Sequence, residues 1–211
     1  MYEHDSKEVY RLTIYIVIKS VNGVISNLLY LSPTRDILYV TDLNSAVPSR
    51  RLEHLSCFYP GLLALTLSQI PTLLTPSEKE LYLWAAKGLA YTCYLLYADQ
   101  ESGLAPEEVV FSRLDESRRK AYGVGKALPK GSPMLPTVPV PTNEELRKDG
   151  LWIDVVEKWR ATGSVGAIPP GVGGRTKPLR GARTYDYRIL NRKYLLRPEV
   201  RLYSHFVNNI C

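Results

Sequence analysis

The stretch from Ser77 to Ala98 constrains the fold of this chain most, because its apolar residues recur at intervals of three and four for about six helical turns. These residues share one face of a predicted helix: Leu81, Trp84, Ala85, Leu89, Thr92, Leu95 and Leu96. Ser77 and Glu80, three residues apart, are predicted to form a capping box at its start. A helix with one apolar face must be covered by other elements, so a packed core is expected around it.

Three more helices are predicted, at Glu8–Tyr30, Leu62–Ile70 and Thr142–Ala161. The first should end before the Ser32-Pro33 pair, because the residue before a proline is pushed out of the helical region. Its β-branched run Thr13–Ile18 would also suit a strand.

The last predicted helix begins with a second capping box, Thr142 and Glu145, and contains Gly150 as a weak point. A short β-branched and aromatic run, Ile37–Thr41, is predicted to be a strand. Two stretches rich in proline and glycine, 112–141 and 163–183, are predicted to be irregular insertions. Apart from them, the pattern is that of a mainly helical chain.

Composition excludes several classes of protein. With 211 residues, 45% of them hydrophobic, the chain suits one ordinary globular domain. The net charge of +6 permits a polyanionic partner, but much of the basic excess lies in two loop-like stretches, 118–130 and 175–183, so nucleic acid is not an expected partner. The apolar run Leu12–Ile18 is far shorter than the roughly 20 residues that cross a bilayer, so no membrane span is predicted in this chain. No targeting signal is recognised at its start.

Local motifs of nucleotide and metal sites fail on inspection. The glycine-rich run 171–177 ends in Lys177 followed by Pro178, whereas a phosphate-binding loop needs a hydroxyl residue there and a helix after it. The cysteines are not spaced as zinc ligands, and no metal ligand is predicted. His54 lies within an apolar block, where it is either a hydrogen-bonded core histidine or a residue of a binding site.

That block is part of a wider resemblance. RLEHLSCFYPGLLAL, at 51–65, resembles the class I α-1,2-mannosidase segment of glycoside hydrolase family 47 that contains His-Leu-x-Cys-Phe-x-Pro-Gly. In the family's order follow a Thr-Cys-Tyr motif at 92–94, a Gly-Leu-x-Pro-Glu motif at 103–107 and Leu-Arg-Pro-Glu at 196–199. The resemblance extends over about 22–199. The two insertions and the tail 200–211 are unmatched, and after Glu199 the family's Thr-x-Glu-Ser is replaced by VRLY.

The resemblance implies an all-α fold, a fragment of an (αα)7 barrel. It also implies an enzyme that removes α-1,2-linked mannose from high-mannose N-glycans with inversion, in the endoplasmic reticulum or Golgi, with calcium as cofactor. Residues 1–211 would be a partial catalytic domain that lacks N-terminal and C-terminal parts, among them the calcium ligand. Such a chain alone is expected to bind mannose weakly or not at all, and not to hydrolyse it. A non-catalytic glycan-binding or interaction protein and a basic adaptor are the alternatives.

The same resemblance assigns site residues. Glu199 is the expected catalytic carboxylate, with an entry position at a helix N-terminus as its structural alternative. Arg197, His54 and Glu53 are expected to bind substrate. Both cysteines of the matched motifs, Cys57 and Cys93, are expected to form a disulfide in the secretory pathway.

Overall fold

The computed structural model describes residues 2–113, 142–164, 168–173, 177–180 and 186–195. Most of their regular structure is helical, as predicted. The helices are α1 (Tyr2–Asn27), α2 (Tyr59–Gln69), α3 (Pro76–Ala98), α4 (Asn143–Lys148) and α5 (Trp152–Ala161). Short 3-10 turns, His54–Phe58 and Pro71–Leu73, precede α2 and α3.

The described residues are not all-α, because they also form short antiparallel strands. The strands are β1 (Leu29–Leu31), β2 (Leu38–Val40), β3 (Leu43–Asn44), β4 (Val47–Pro48), β5 (Arg51–Glu53), β6 (Glu108–Phe111) and β7 (Tyr187–Asn191). Two hairpins, β1–β2 and β3–β4, accompany a three-stranded sheet of order β5-β6-β7. The prediction of a mainly helical chain is confirmed, but of the seven described strands only β2 was expected, because runs of two to five residues seldom show a period in the sequence.

The first hairpin replaces the predicted end of α1. The helix stops at Asn27 rather than Tyr30, and Leu29–Leu31 pair with β2, with Tyr30 opposite Tyr39. All three residues of β1 are buried, so pairing satisfies backbone groups that could not reach water. The predicted strand at Ile37–Thr41 is confirmed as β2.

The helix α3 begins with a different capping box from the predicted one. Thr75, not Ser77, is the N-cap: its hydroxyl accepts a hydrogen bond from the Glu78 amide at 3.2 Å, and the Glu78 carboxylate accepts one from the Thr75 amide at 2.8 Å. Pro76 occupies the first helical position, where its missing N–H costs nothing. This places the cap two residues earlier than predicted.

The helix predicted over 142–161 is divided in two. Its capping box of Thr142 and Glu145 is confirmed, but the chain leaves the helical path at Gly150, which has a φ of +80°. The Gly150 carbonyl accepts a hydrogen bond from the Leu31 amide at 2.8 Å, and Leu151 forms an isolated antiparallel β-bridge with Tyr30. The break thus lets this segment pair with β1 before α5 begins.

The core has two parts that share α3. One lies between α3 and the other long elements and includes Ile25, Leu63, Tyr82 and Trp152. The other lies under the three-stranded sheet and includes Tyr39, Leu96, Val109 and Phe111. In the earlier turns of α1 the large apolar side chains are exposed: Val9, Tyr10, Leu12, Tyr15 and Ile16. No helix within the described ranges is long and apolar enough to cross a membrane.

The described parts of the second insertion, 168–173 and 177–180, have no helix or strand but contact the core. Trp152 donates its indole N–H to the Pro170 carbonyl at 2.8 Å. The Leu179 amide donates to the Asp99 carboxylate at 2.7 Å. Hydrogen bonds to buried side chains therefore anchor this stretch, although its sequence has no apolar period.

Candidate functional site

His54 lies at the junction of β5 and the turn that precedes α2. Its side chain is 3% exposed, and its backbone amide donates to the Glu107 carbonyl at 2.8 Å. Its ring meets the Tyr97 ring edge to face, with 5.3 Å between centroids. Pairing of β5 with β6 and packing against α3 thus position the imidazole. The hydrogen bond to Glu107 also joins the histidine motif to the Gly-Leu-x-Pro-Glu motif.

Glu53, the last residue of β5, is exposed beside His54 and lies directly opposite Glu108 in β6. Two like charges at opposed positions repel each other. Arg51, on the same face of β5, forms an ion pair with Glu108. The hydrogen bond to Glu108 raises the pKa of Arg51, and the pair offsets the repulsion around Glu53.

Cys57 and Cys93 form a disulfide, as the resemblance implied, with 5.9 Å between their Cα atoms. Cys57 lies in the turn that begins at His54, and Cys93 lies one helical turn before Tyr97 in α3. The bond therefore joins the two elements whose aromatic side chains meet at His54.

A third segment, which follows β7, contacts Tyr97 of α3. The Tyr194 ring contacts the Tyr97 ring edge to face at 6.4 Å between centroids. Arg197 and Glu199, the predicted sugar ligand and catalytic carboxylate, follow Tyr194 in the chain but lie outside the described residues. Of the predicted site residues, the structure describes Glu53 and His54, which are neighbours in the chain. Arg197 and Glu199 remain untested.

A buried charged cluster, which the sequence reasoning missed, lies at the C-terminal end of α3. Arg35 donates two hydrogen bonds to the fully buried Asp99 carboxylate, at 2.8 and 3.1 Å. It also forms an ion pair with Asp186 at 3.3 Å. Tyr187 donates its hydroxyl to Asp99 at 3.0 Å. We call these residues, Arg35, Asp99, Asp186 and Tyr187, the Arg35 cluster.

In the Arg35 cluster, burial and the neighbouring carboxylates have opposite effects on the pKa of Arg35. Burial alone would lower the pKa of Arg35, but the hydrogen bond to Asp99 and the charges of Asp186 and Asp99 outweigh it, so the pKa is raised. The hydroxyls of Ser32 and Thr34 also donate to Asp186. The cluster fixes the start of β7, the strand that leads to Tyr194, against the end of α3.

A second buried arginine, Arg50, was also missed. It donates to the Tyr39 hydroxyl at 3.2 Å, to the Leu146 and Asp149 carbonyls at 3.3 and 2.9 Å, and to the Asp149 carboxylate at 3.2 Å. Burial raises the pKa of Tyr39 to about 12, and the nearby positive charge of Arg50 opposes this rise. We call Arg50, Tyr39 and Asp149 the Arg50 cluster. It ties β2 to the end of α4.

The described residues do not fit a calcium ion. They contain no group of three acidic, histidine or cysteine side chains that could hold a metal. The carboxylates of Asp99 and Asp186 are both engaged by Arg35. Calcium prefers six to eight oxygen ligands, among them carboxylates not already engaged by a cation.

Comparison with known proteins places the chain among glycoside hydrolases. It belongs to glycosyl hydrolase family 47, whose model matches residues 4–206. The matched range is wider than the resemblance read from the motifs and includes Glu53, His54 and both cysteines of the disulfide.

Curated relatives are similar over about half of the chain. A mannosyl-oligosaccharide 1,2-α-mannosidase of Candida albicans is 35% identical over an alignment of 115 positions that covers 49% of this chain and 20% of that protein. The mannosyl-oligosaccharide α-1,2-mannosidase IA of Spodoptera frugiperda is 33% identical over 100 residues, 47% of this chain and 14% of that protein.

An endoplasmic reticulum mannosyl-oligosaccharide 1,2-α-mannosidase of Mus musculus is 31% identical over 110 residues, 52% of this chain and 16% of that protein. The matched region thus spans a fifth or less of each of these relatives.

Proposed function

We propose that this chain is part of an inverting α-1,2-mannosidase domain that trims high-mannose N-glycans. The observation that supports this most is a series of ring contacts that joins three motif-bearing segments: the His54 ring contacts the Tyr97 ring of α3, and the Tyr97 ring contacts the Tyr194 ring after β7. The long helices would belong to an (αα)7 barrel. In support, α2 packs along α3, and α1 packs against α3 and α5.

In this proposal Glu53 and His54 bind sugar hydroxyls. Glu53 is exposed and offers a carboxylate that accepts hydrogen bonds from hydroxyl groups. His54 is 3% exposed and its Nε2 is buried, so a sugar would have to displace neighbouring side chains to reach the imidazole. The disulfide and the Tyr97 ring hold the imidazole in place next to Glu53.

Glu199 would be the general base, with Arg197 beside it. A neighbouring guanidinium favours the ionised carboxylate, the form that activates water. Inversion also needs an acid, with roughly 6.5 to 9.5 Å between the two carboxyl groups. No residue of this chain is assigned that role.

The same proposal places the protein in the secretory pathway. Disulfides persist in oxidising compartments, and Cys57–Cys93 is such a bond. Several relatives are named as endoplasmic reticulum mannosidases. Calcium, implied by the family resemblance, would take its protein ligands from outside the described residues.

Sugar binding tests the site directly. We expect α-1,2-mannobiose to shift the imidazole resonances of His54 in the NMR spectrum of the chain, and Glu53→Gln to weaken that binding severalfold. Glu101→Gln, which removes an exposed carboxylate elsewhere, is the matched control and should leave binding unchanged. Equal shifts with cellobiose, or none with mannobiose, would contradict the assignment.

Hydrolysis tests the division of roles. Residues 1–211, supplied with calcium and a high-mannose glycan, are expected to release no mannose, because loss of general acid catalysis alone typically costs 10² to 10⁴-fold in rate. Release of mannose that Glu199→Gln abolishes would contradict this expectation and would support Glu199 as the catalytic residue.

A further inference from the structure

A cavity of about 140 Å³ lies on another side of α3 from the disulfide. Helix α3 contributes Gly88, Tyr91 and Thr92 to its wall, whereas Cys93 and Tyr97 face the His54 turn. The turn between β1 and β2, helix α5 and the segment 168–173 complete the wall. The cavity is therefore separate from the place where the three motif-bearing segments meet.

Close backbone approach builds this cavity. A Cβ at Gly88 would lie 2.5 Å from the Gly171 carbonyl oxygen, and a Cβ at Gly173 would lie 2.8 Å from the Tyr91 ring. The hydrogen bond from Trp152 to the Pro170 carbonyl holds the same segment. Such contacts leave no room for side chains between the segment and α3, so the glycines define the shape of the wall.

The wall combines aromatic and charged groups. Tyr91 and Trp159 contribute rings, and Arg35 and Asp36 contribute opposite charges at one side. The Arg35 guanidinium is already held by Asp99 and Asp186, so its orientation is fixed before any ligand arrives. Ile168, which is 41% exposed, extends the apolar surface to the solvent.

This combination suits a pyranose ring. The negative face of an aromatic ring attracts the C–H bonds on one face of a sugar. Charged and amide groups at the side can accept and donate hydrogen bonds to its hydroxyls. The cavity of about 140 Å³ opens to the solvent beside Ile168, so one face of a sugar ring can lie against the wall while its other groups stay in water.

We propose that this cavity is a second sugar-binding site, which takes one hexopyranose residue of a glycan. It goes beyond the proposed mannosidase function and needs neither Glu199 nor His54. A glycan-processing protein with such a site would hold a branch of its substrate away from the residues that act on the scissile bond.

Fluorine NMR on the full chain tests the proposal. The sequence has three tryptophans, of which Trp159 lines the cavity and Trp84 and Trp152 do not. With 5-fluorotryptophan incorporated and signals assigned by Trp→Phe variants, methyl α-mannopyranoside should shift the Trp159 signal most. The shift should saturate with a Kd on the order of millimolar, as expected for a ligand of this size.

Variants separate this site from the first. Tyr91→Ala should weaken the Trp159 response at least fivefold, while Glu53→Gln should leave it unchanged. Gly173→Ala, which crowds the Tyr91 ring, should also weaken it, and Gly23→Ala is the control because a Cβ there meets nothing within 4 Å. Tyr91→Ala tests the same wall without altering the backbone, should Gly173→Ala disturb folding.

The proposal is overturned if Trp159 shows no saturable shift up to about 50 mM methyl α-mannopyranoside, well above the millimolar range expected. A saturable response to cyclohexanol but not to the mannoside would also overturn it, because the cavity would then select an apolar ring. A Trp159 response without any His54 response would support the second site and contradict the first.

Discussion

The Arg35 and Arg50 clusters both hold a buried arginine that joins distant parts of the chain, but their charges are balanced differently. Arg35 faces two carboxylates, Asp99 and Asp186, whose side chains are 0% and 4% exposed. Arg50 faces one carboxylate, Asp149, which is 20% exposed, together with a phenol and two carbonyls. The first cluster therefore has one cation for two buried carboxylates, whereas the second has one cation for one carboxylate, and dipoles and solvent help to solvate that pair.

Removal of the cation from the first cluster should have the largest effect. Arg35→Leu leaves two buried carboxylates without their cation, so we expect the free energy of unfolding to fall by about 3–5 kcal/mol or more. Urea unfolding followed by circular dichroism measures it. Arg51→Leu breaks an ion pair with Glu108 at the surface and should leave the free energy of unfolding nearly unchanged. Equal losses in the two variants would contradict the comparison.

The same change in the second cluster should cost less. Arg50→Leu leaves a partly hydrated Asp149 and two carbonyls that lose a donor, for which we expect a loss of about 2–3 kcal/mol in the same urea experiment. A loss larger than that of Arg35→Leu would show that dipoles and solvent do not compensate for the missing guanidinium.

Alkaline pH should affect the second cluster through Tyr39. Its pKa is about 12 in the fold and about 10 in the unfolded chain. Between these values the unfolded chain binds fewer protons than the folded one, so stability falls as pH rises from about 10 to about 12. By pH 11 the Tyr39 contribution to this loss is about 1.4 kcal/mol.

The control for this measurement is Tyr39→Phe, which removes the ionising group. The difference in unfolding free energy between pH 9 and pH 11 should be smaller in the variant by about that amount. Identical pH dependence in the two proteins would rule out a raised pKa at Tyr39.

The smallest effect is expected at the exposed capping box of α3, which lies outside both buried clusters. Thr75→Ala removes the N-cap of α3 and should lower the free energy of unfolding by about 1 kcal/mol. Ser77→Ala lies inside the first turn and should change it by less than about 0.5 kcal/mol. The reverse order would restore the capping box first predicted from the sequence.

Elements whose signal lies in residues close together in the chain were predictable from the sequence. The face of α3 and the cap at Thr142 depend on residues a few positions apart, and both are found as expected. The cap of α3 was misplaced because two overlapping patterns fit, Thr75 with Glu78 and Ser77 with Glu80, and Pro76 decides between them by occupying the first helical position.

Contacts between distant residues were not predictable in this way. Arg35 meets Asp99 and Asp186 across separations of 64 and 151 residues, and nothing in the local sequence signals either pairing. The break at Gly150 depends on the pairing of Leu151 with Tyr30. Glu53 and His54 were identified through family motifs, and the contacts of Tyr97 with both His54 and Tyr194 became visible only in the fold.

The disulfide acts as a tether on the candidate sugar site. Cys57 is three residues from His54 and Cys93 is four residues from Tyr97, so the bond keeps the two rings at a high effective concentration even while the surrounding chain fluctuates. Reduction would remove this tether and turn a short-range encounter into closure of a loop of 36 residues. The redox state of the compartment therefore governs how firmly the His54 imidazole is held against Tyr97.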